Sequence, residues 1–179
     1  LKKSIRGLHH LLVTFMNQKD MFIVEFRSEG AKTRQMLARV PFEKAAWKPH
    51  EKSMHLGALA QHITNLPFWV HYTLLHDELD FAKPIERTKP AESLAELLTF
   101  FDKRLAEATT VLENTTNAIL DSEWTMRHGA QIYFTRPRKE VLREFVLNHT
   151  IHHRGQLSVY LRLLDVPVPA MFGPTADDK

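Results

Sequence analysis

His149 and His153 stand four residues apart in Asn148-His149-Thr150-Ile151-His152-His153-Arg154-Gly155-Gln156-Leu157, within a segment of helical periodicity. On a helix, side chains at i and i+4 share a face, with Cβ atoms about 5–6 Å apart. Two imidazoles held that way can bite one metal ion at about 2.0–2.1 Å. Such a pair leaves the rest of the shell to another helix, and His62 in Leu59-Ala60-Gln61-His62-Ile63 is the candidate third ligand. A single histidine on an apolar face is more often packed or hydrogen-bonded in a core. Two imidazoles side by side on an inward row are costly to bury unless each has a partner, and a metal satisfies both at once. Spacing alone also permits His149 with His152. The row through Val146, Gln156 and Tyr160 favours His153 and puts His152 about a quarter turn away.

The elements that must carry these residues follow from periodicity. One helix is expected over 22–40, with Ile23, Phe26, Gly30, Thr33, Leu37 and Val40 on one face, ended by Pro41. Residues 41–52 read as a polar loop carrying Trp47 and Pro49. Ser53 is a candidate N-cap for a second helix over about 54–76, where Leu59, His62, Leu66 and Trp69 fall in a row. Pro67 should kink or split it. Residues 77–90, with Pro84 and Pro90, read as a crossover. A third helix over about 92–114 carries Leu94, Leu97, Leu98, Phe101, Leu105, Ala108 and Leu112. Residues 115–137 are less regular, with Gly129 a turn before a short extended piece, Gln131 to Phe134. The fourth helix, about 138–164, presents Leu142, Val146, His149, His153, Gln156, Tyr160 and Leu164 inward and stops at Asp165-Val166-Pro167. The tail from Pro167 should be irregular. Four amphipathic helices joined by long crossovers predict an all-α fold, a four-helix bundle.

Composition agrees. A chain of 179 residues with 44% hydrophobic and 25% charged residues suits one globular domain with a proper core. The 24 basic and 21 acidic residues leave +3, with no basic stripe of the kind nucleic acids need. Lys103-Arg104 and Arg136-Pro137-Arg138-Lys139 are short and read as exposed charge. No apolar run reaches the roughly 18 residues of a membrane helix. Without cysteine there is no disulfide, thiolate ligand or cysteine nucleophile. Its absence fits a reducing, cytoplasmic setting. The start, Leu1 to Val13, puts basic residues before an apolar run too short for a signal peptide. Residues 1–20 are expected to be an extension outside a core of 21–179, and Met16 or Met21 is a candidate first residue.

The stretch His149 to Arg162 (HTIHHRGQLSVYLR), followed by Val166-Pro167-Val168-Pro169-Ala170-Met171-Phe172-Gly173-Pro174, resembles the last-helix signature of the DinB/YfiT-like family. Leu59-Ala60-Gln61-His62-Ile63 matches that family's other histidine position. The resemblance covers about Met21 to the C-terminus. It implies a four-helix bundle, commonly a homodimer, holding a divalent metal, often nickel or zinc, on His62, His149 and His153. It also implies a small-molecule substrate, since some relatives in the wider superfamily transfer low-molecular-weight thiols or isomerise thiol-dependent substrates.

Three imidazole ligands leave a coordination position open, which suits a metal-dependent transferase or hydrolase better than a closed structural site. Neutral imidazoles leave the site at about the +2 of the ion itself, suited to a thiolate or hydroxide ligand. The alternative is a non-catalytic, stress-associated bundle in which the metal is structural. The second ring nitrogens need acceptors, for which Gln61, Asn65, Asn148 and Gln156 are nearby in sequence. His55 and Trp69, seven residues either side of His62, could line a pocket mouth, although such residues are more often a helix flank and a core aromatic. Arg154 could pair a buried carboxylate or stay solvated, and Gly155 could admit a neighbouring helix or chain.

Overall fold

The computed structural model describes residues 17–85 and 89–178. Of the expected 1–20 extension, residues 1–16 lie outside the described residues, as does part of the crossover loop at 86–88, while residues 17–20 cap and begin the first helix. Four helical limbs form the bundle expected from the sequence. Helix α1 is Gln18–Leu37. The second limb is α2 (Leu56–Asn65), a 3₁₀ turn (Leu66–Phe68) and α3 (Trp69–Leu75). Helix α4 is Leu94–Asn114. The last limb joins a short α6 (Arg138–Val141) and a π-helical stretch (Leu142–Asn148) to α7 (His149–Leu163). A short α5 (Asn117–Asp121) lies in the crossover between them.

The limbs begin and end for local reasons. The Asn17 side chain accepts from Asp20 N–H at 3.0 Å and caps α1, which therefore starts four residues before Phe22. Ser93 does the same for α4 through Glu96 N–H. At the second limb the cap is not Ser53: His55 takes the position with no side-chain cap hydrogen bond. Pro67 sits in the 3₁₀ turn that splits α2 from α3, because it lacks an N–H for an i−4 carbonyl. Asp165, in the left-handed region at φ 58°, closes α7.

The main contacts run in a ring, α1 to α4, α4 to α2 and α3, α2 to α7, and α7 back to α1. Helix α1 therefore packs mainly on α4 and α7 rather than on its successor α2, and the long connections are the consequence. Gly30 makes room for α4, since a Cβ there would meet Leu105 Cδ1 at 2.6 Å. One core cluster joins Met36, Leu37, Leu59, Ile63, Phe101 and Leu157; a second joins Phe26, Val70, Leu112, Leu142 and Val146. The apolar rows expected for α1 and α4 are the ones buried or partly buried.

The departure from the expected fold is a small sheet. Strand β1 (Glu78–Asp80) lies parallel to β2 (Glu123–His128), and β2 pairs antiparallel with β3 (Gln131–Pro137). Gly129, at φ 57°, makes the expected turn. The extended piece expected at Gln131 to Phe134 is thus half of a hairpin. Trp124 and Met126 point from β2 into a third cluster with Leu79 and Val141. β1 is only three residues long and has one buried side chain, too short for alternation to show. In β2 the alternation of Trp124 and Met126 was a legible signal. Trp47 is not a loop residue facing water: its ring meets Tyr160 edge-on at 5.6 Å and packs on the first core cluster. Nor are the basic clusters wholly exposed. Arg138 is 6% exposed and donates to the Thr73 and His76 carbonyls at the end of α3, to Asp77 and to Ser122. Arg104 donates to Asn65 Oδ1.

Candidate metal centre

The packing of α2 against α7 brings His62, His149 and His153 together, and their nearest ring nitrogens all lie within 4.8 Å of one another. His62 Nε2 is 3.2 Å from His149 Nε2, which is 2.8 Å from His153 Nε2. The His62 and His153 rings meet edge-on with centroids 4.5 Å apart. A tetrahedral ion with bonds of about 2.0–2.1 Å separates its ligand nitrogens by about 3.4 Å. The His62–His149 and His149–His153 separations are therefore within about 0.6 Å of that value. His152, exposed on the flank of α7, is not in the cluster, as the row through Val146 and Gln156 indicates.

One outer nitrogen is held as well. His153 Nδ1 lies 2.7 Å from Gln156 Oε1, an acceptor, so this contact places the proton on Nδ1. His149 turns its Nε2 to both of the other rings. Of the four amide side chains near in sequence, Gln156 alone serves a candidate ligand. Gln61 donates to Asn65 and accepts from Ala91 N–H, Asn65 accepts from Arg104, and Asn148 is exposed.

Burial, followed by the neighbouring His153 and His149, pushes the His62 imidazole down to about 4. Burial, followed by His153, also lowers His149, against the opposing hydrogen bond to Phe145. Both rings are thereby held neutral at physiological pH, the state that a metal ligand requires.

Trp69 stacks on Phe145 with centroids 5.6 Å apart, and Phe145 stacks on Phe134 at 5.4 Å. Trp69 is thus a partly buried packing residue. His55 Nδ1 contacts the Ala46 carbonyl and stays outside the histidine cluster. Arg154 pairs a buried carboxylate: it is 3% exposed, ion-pairs with Glu29, and donates to the Glu29 carbonyl and Thr33 Oγ1, both at 3.1 Å. Gly155 admits no helix of its own chain, since a Cβ there would meet nothing within 4 Å.

This fold and site can be set beside known proteins. The DinB family model matches residues 16–178. The chain belongs to the DinB family. Within it, the chain is similar to YjoA of Bacillus subtilis (strain 168), 24% identical over 148 residues that span 82% of this chain and 91% of YjoA. The crystal structure of that DinB-like protein superposes with a TM-score of 0.67 at 21% identity, covering 84% of this chain and 97% of the other. A DinB-like protein from Bacillus cereus ATCC 10987 gives a TM-score of 0.64 at 22% identity, covering 84% and 95%. At these identities the structural likeness speaks to the fold of this DinB-family chain. Among the described residues no helix is long and apolar enough to cross a membrane.

Proposed function

We propose that this DinB-family protein holds one divalent metal ion, nickel or zinc, on Nε2 of His62, His149 and His153, and uses it as a metal-dependent enzyme on a small molecule. The observation that carries the reading is the convergence of three imidazole nitrogens: His149 Nε2 lies 3.2 Å from His62 Nε2 and 2.8 Å from His153 Nε2. Gln156 engages the other nitrogen of His153, as an outer acceptor does for a metal-binding histidine. Three such nitrogens packed together need a cation among them. Burial works against a proton filling that role, because it lowers both His62 and His149. A divalent ion fits the donor set: neutral nitrogens, borderline in softness, suited to zinc or nickel.

Among the described residues no carboxylate joins the three histidines, which fits an open coordination position. A bound divalent ion there supplies Lewis acidity, lowering the pKa of a thiol or water at the remaining position. The protein's part is to hold His62 and His149 neutral and to bring the three imidazoles to one point. We favour thiol transfer or hydrolysis as the reaction class, a small thiol as the substrate, and the cytoplasm as the location, which the absence of cysteine supports. A homodimer belongs to the same proposal. It is supported by the exposed row Ile151, Gly155, Val159 and Leu163 on the outer face of α7, where an apolar stripe surrounds the open glycine.

The test is elemental analysis of protein purified without metal-affinity resin, followed by titration of the cobalt-substituted protein with small thiols. One metal per chain and a thiol-dependent change in the visible spectrum are expected. One metal with no thiol response would favour the non-catalytic reading, in which the ion is structural. No metal would remove the proposal.

A further inference from the structure

A groove separate from the metal centre runs between α7 and the C-terminal tail. Its volume is about 530 Å³, in the range of small-molecule sites, and Met36, Ile151, Val168, Met171 and Phe172 give it apolar walls. Among the described residues that line it, none is one of the three clustered histidines. The tail wall is held in place by its own bonds. Asp177 pairs with Arg162 and accepts from the Val168 N–H at 2.8 Å, and Thr175 Oγ1 donates to the Val168 carbonyl at 3.2 Å. Phe172 stands 77% exposed on that wall.

The charged residue in this lining is Arg154, which is itself 3% exposed. Its Nη1 donates to the Glu29 carbonyl and to Thr33 Oγ1, and its Nη2 donates to Glu29 Oε2. A guanidinium also carries a proton on Nε and a second one on Nη2. Among the described residues neither of these has an acceptor. The fully buried polar atoms left without a partner lie on Thr64, His71, Thr73 and Thr115, so the spare Arg154 donors are not sealed in and open onto the groove. The Glu29 carboxylate is shared, since Lys32 Nζ lies 2.7 Å from Oε1. Two cations on one carboxylate leave this cluster with a surplus positive charge. Lys32 Nζ and Arg154 Cζ lie 4.2 and 5.9 Å from the centre of the Phe172 ring, which puts that charge at the groove wall.

We propose that the groove is a second binding site, for a small molecule with an apolar chain or ring that ends in a carboxylate. The apolar body lies between α7 and the tail, and the carboxylate accepts from Nε and Nη2 of Arg154. A planar carboxylate matches the guanidinium edge. A neutral apolar molecule would leave these donors unpaired and cut off from water, which is costly. An inorganic anion would leave the apolar walls unused. The site needs no bound metal. Ile151 and Gly155 belong both to this groove and to the apolar row proposed for the homodimer, so a second copy is the competing occupant.

Calorimetric titration of the intact chain with octanoate and with octanol tests this. Octanoate should bind once per chain and at least about 10-fold more tightly than octanol, the discrimination expected of hydrogen bonds to a charged group. Gly155→Phe should abolish octanoate binding with circular dichroism unchanged, because Gly155 lines the groove and a Cβ there meets nothing within 4 Å. Phe172→Ala should weaken binding and leave the fold intact, since the ring is mostly exposed. Equal affinity for octanoate and octanol would overturn the proposal, as would a Gly155→Phe variant that binds octanoate like the intact chain. No octanoate binding would also overturn it. In that case a dimer in sedimentation that Phe172→Ala converts to monomer would show that a second copy fills the groove.

Discussion

At the scale of the residue, the centre is a matter of which nitrogen points where. His153 is buried with its Nε2 among the other two and its Nδ1 tied, whereas its neighbour His152 is exposed. His153→Ala should therefore abolish stoichiometric metal and His152→Ala should largely retain it, as read by elemental analysis of each variant. The opposite pattern would mean that the ligand row on α7 had been misread. The depressed imidazoles set the pH dependence. His62 is pushed to about 4 in the folded chain, while an unfolded histidine titrates near 6.5. A folded pKa below the unfolded value contributes stability that is present above about 6.5 and lost as pH falls toward about 4. Proton competition for the ligands moves the same way. The folded, metal-free protein should thus lose stability in denaturant titrations over this window and then level off, and metal should leave below pH 6.5 rather than at it. Full metal release by pH 7 would contradict the neutral state that burial gives His62 and His149.

At the scale of the element, the ligand helix is held from two directions. Its inner face carries the histidines toward α2, and Arg154, one residue past His153, anchors it to α1. Burial works against the Glu29 carboxylate, but hydrogen bonds from Lys32 and Arg154 outweigh it and hold its pKa below the usual range. Breaking a buried ion pair by removing one partner costs about 3–5 kcal/mol, because the remaining charge stays out of water. Arg154→Met should destabilise the fold by an amount of that order in chemical denaturation. Its metal stoichiometry should survive wherever the protein remains folded. A variant as stable as the parent would show that Lys32, 2.7 Å from Glu29 Oε1, is compensation enough.

At the scale of the whole molecule, the bundle does not depend on a metal for its core. The clusters around Leu37, Leu59 and Phe101, and around Phe26, Val70 and Leu142, close without any contribution from the three histidines. A ligand that binds the folded state alone adds RT ln(1 + [L]/Kd), about 2.7 kcal/mol at a hundredfold excess over Kd. Chelation should accordingly lower the melting temperature and leave the helical circular dichroism in place. Complete unfolding on chelation would make the metal an obligatory staple and favour the structural reading of the site.

The sequence by itself determined the four limbs, since each carries an apolar row of helical period long enough to show through its loops. It also determined the histidine pair on α7, because i,i+4 spacing is a property of one helix and needs no partner. The split at Pro67 and the turn at Gly129 were legible for equally local reasons. Only the tertiary structure decided the rest. That His62 meets His149 depends on α2 packing against α7 across 87 residues, and no local pattern encodes that distance. The strands β1 and β2 exist because they pair with each other and with β3, and three residues around Leu79 carry too little alternation to announce it. Arg138 reads as one of a basic run, yet it is buried because the end of α3 presents unsatisfied carbonyls to it. The π-helical stretch Leu142–Asn148 is the sharpest case. It is a change in backbone hydrogen-bond register, which side-chain identity does not announce.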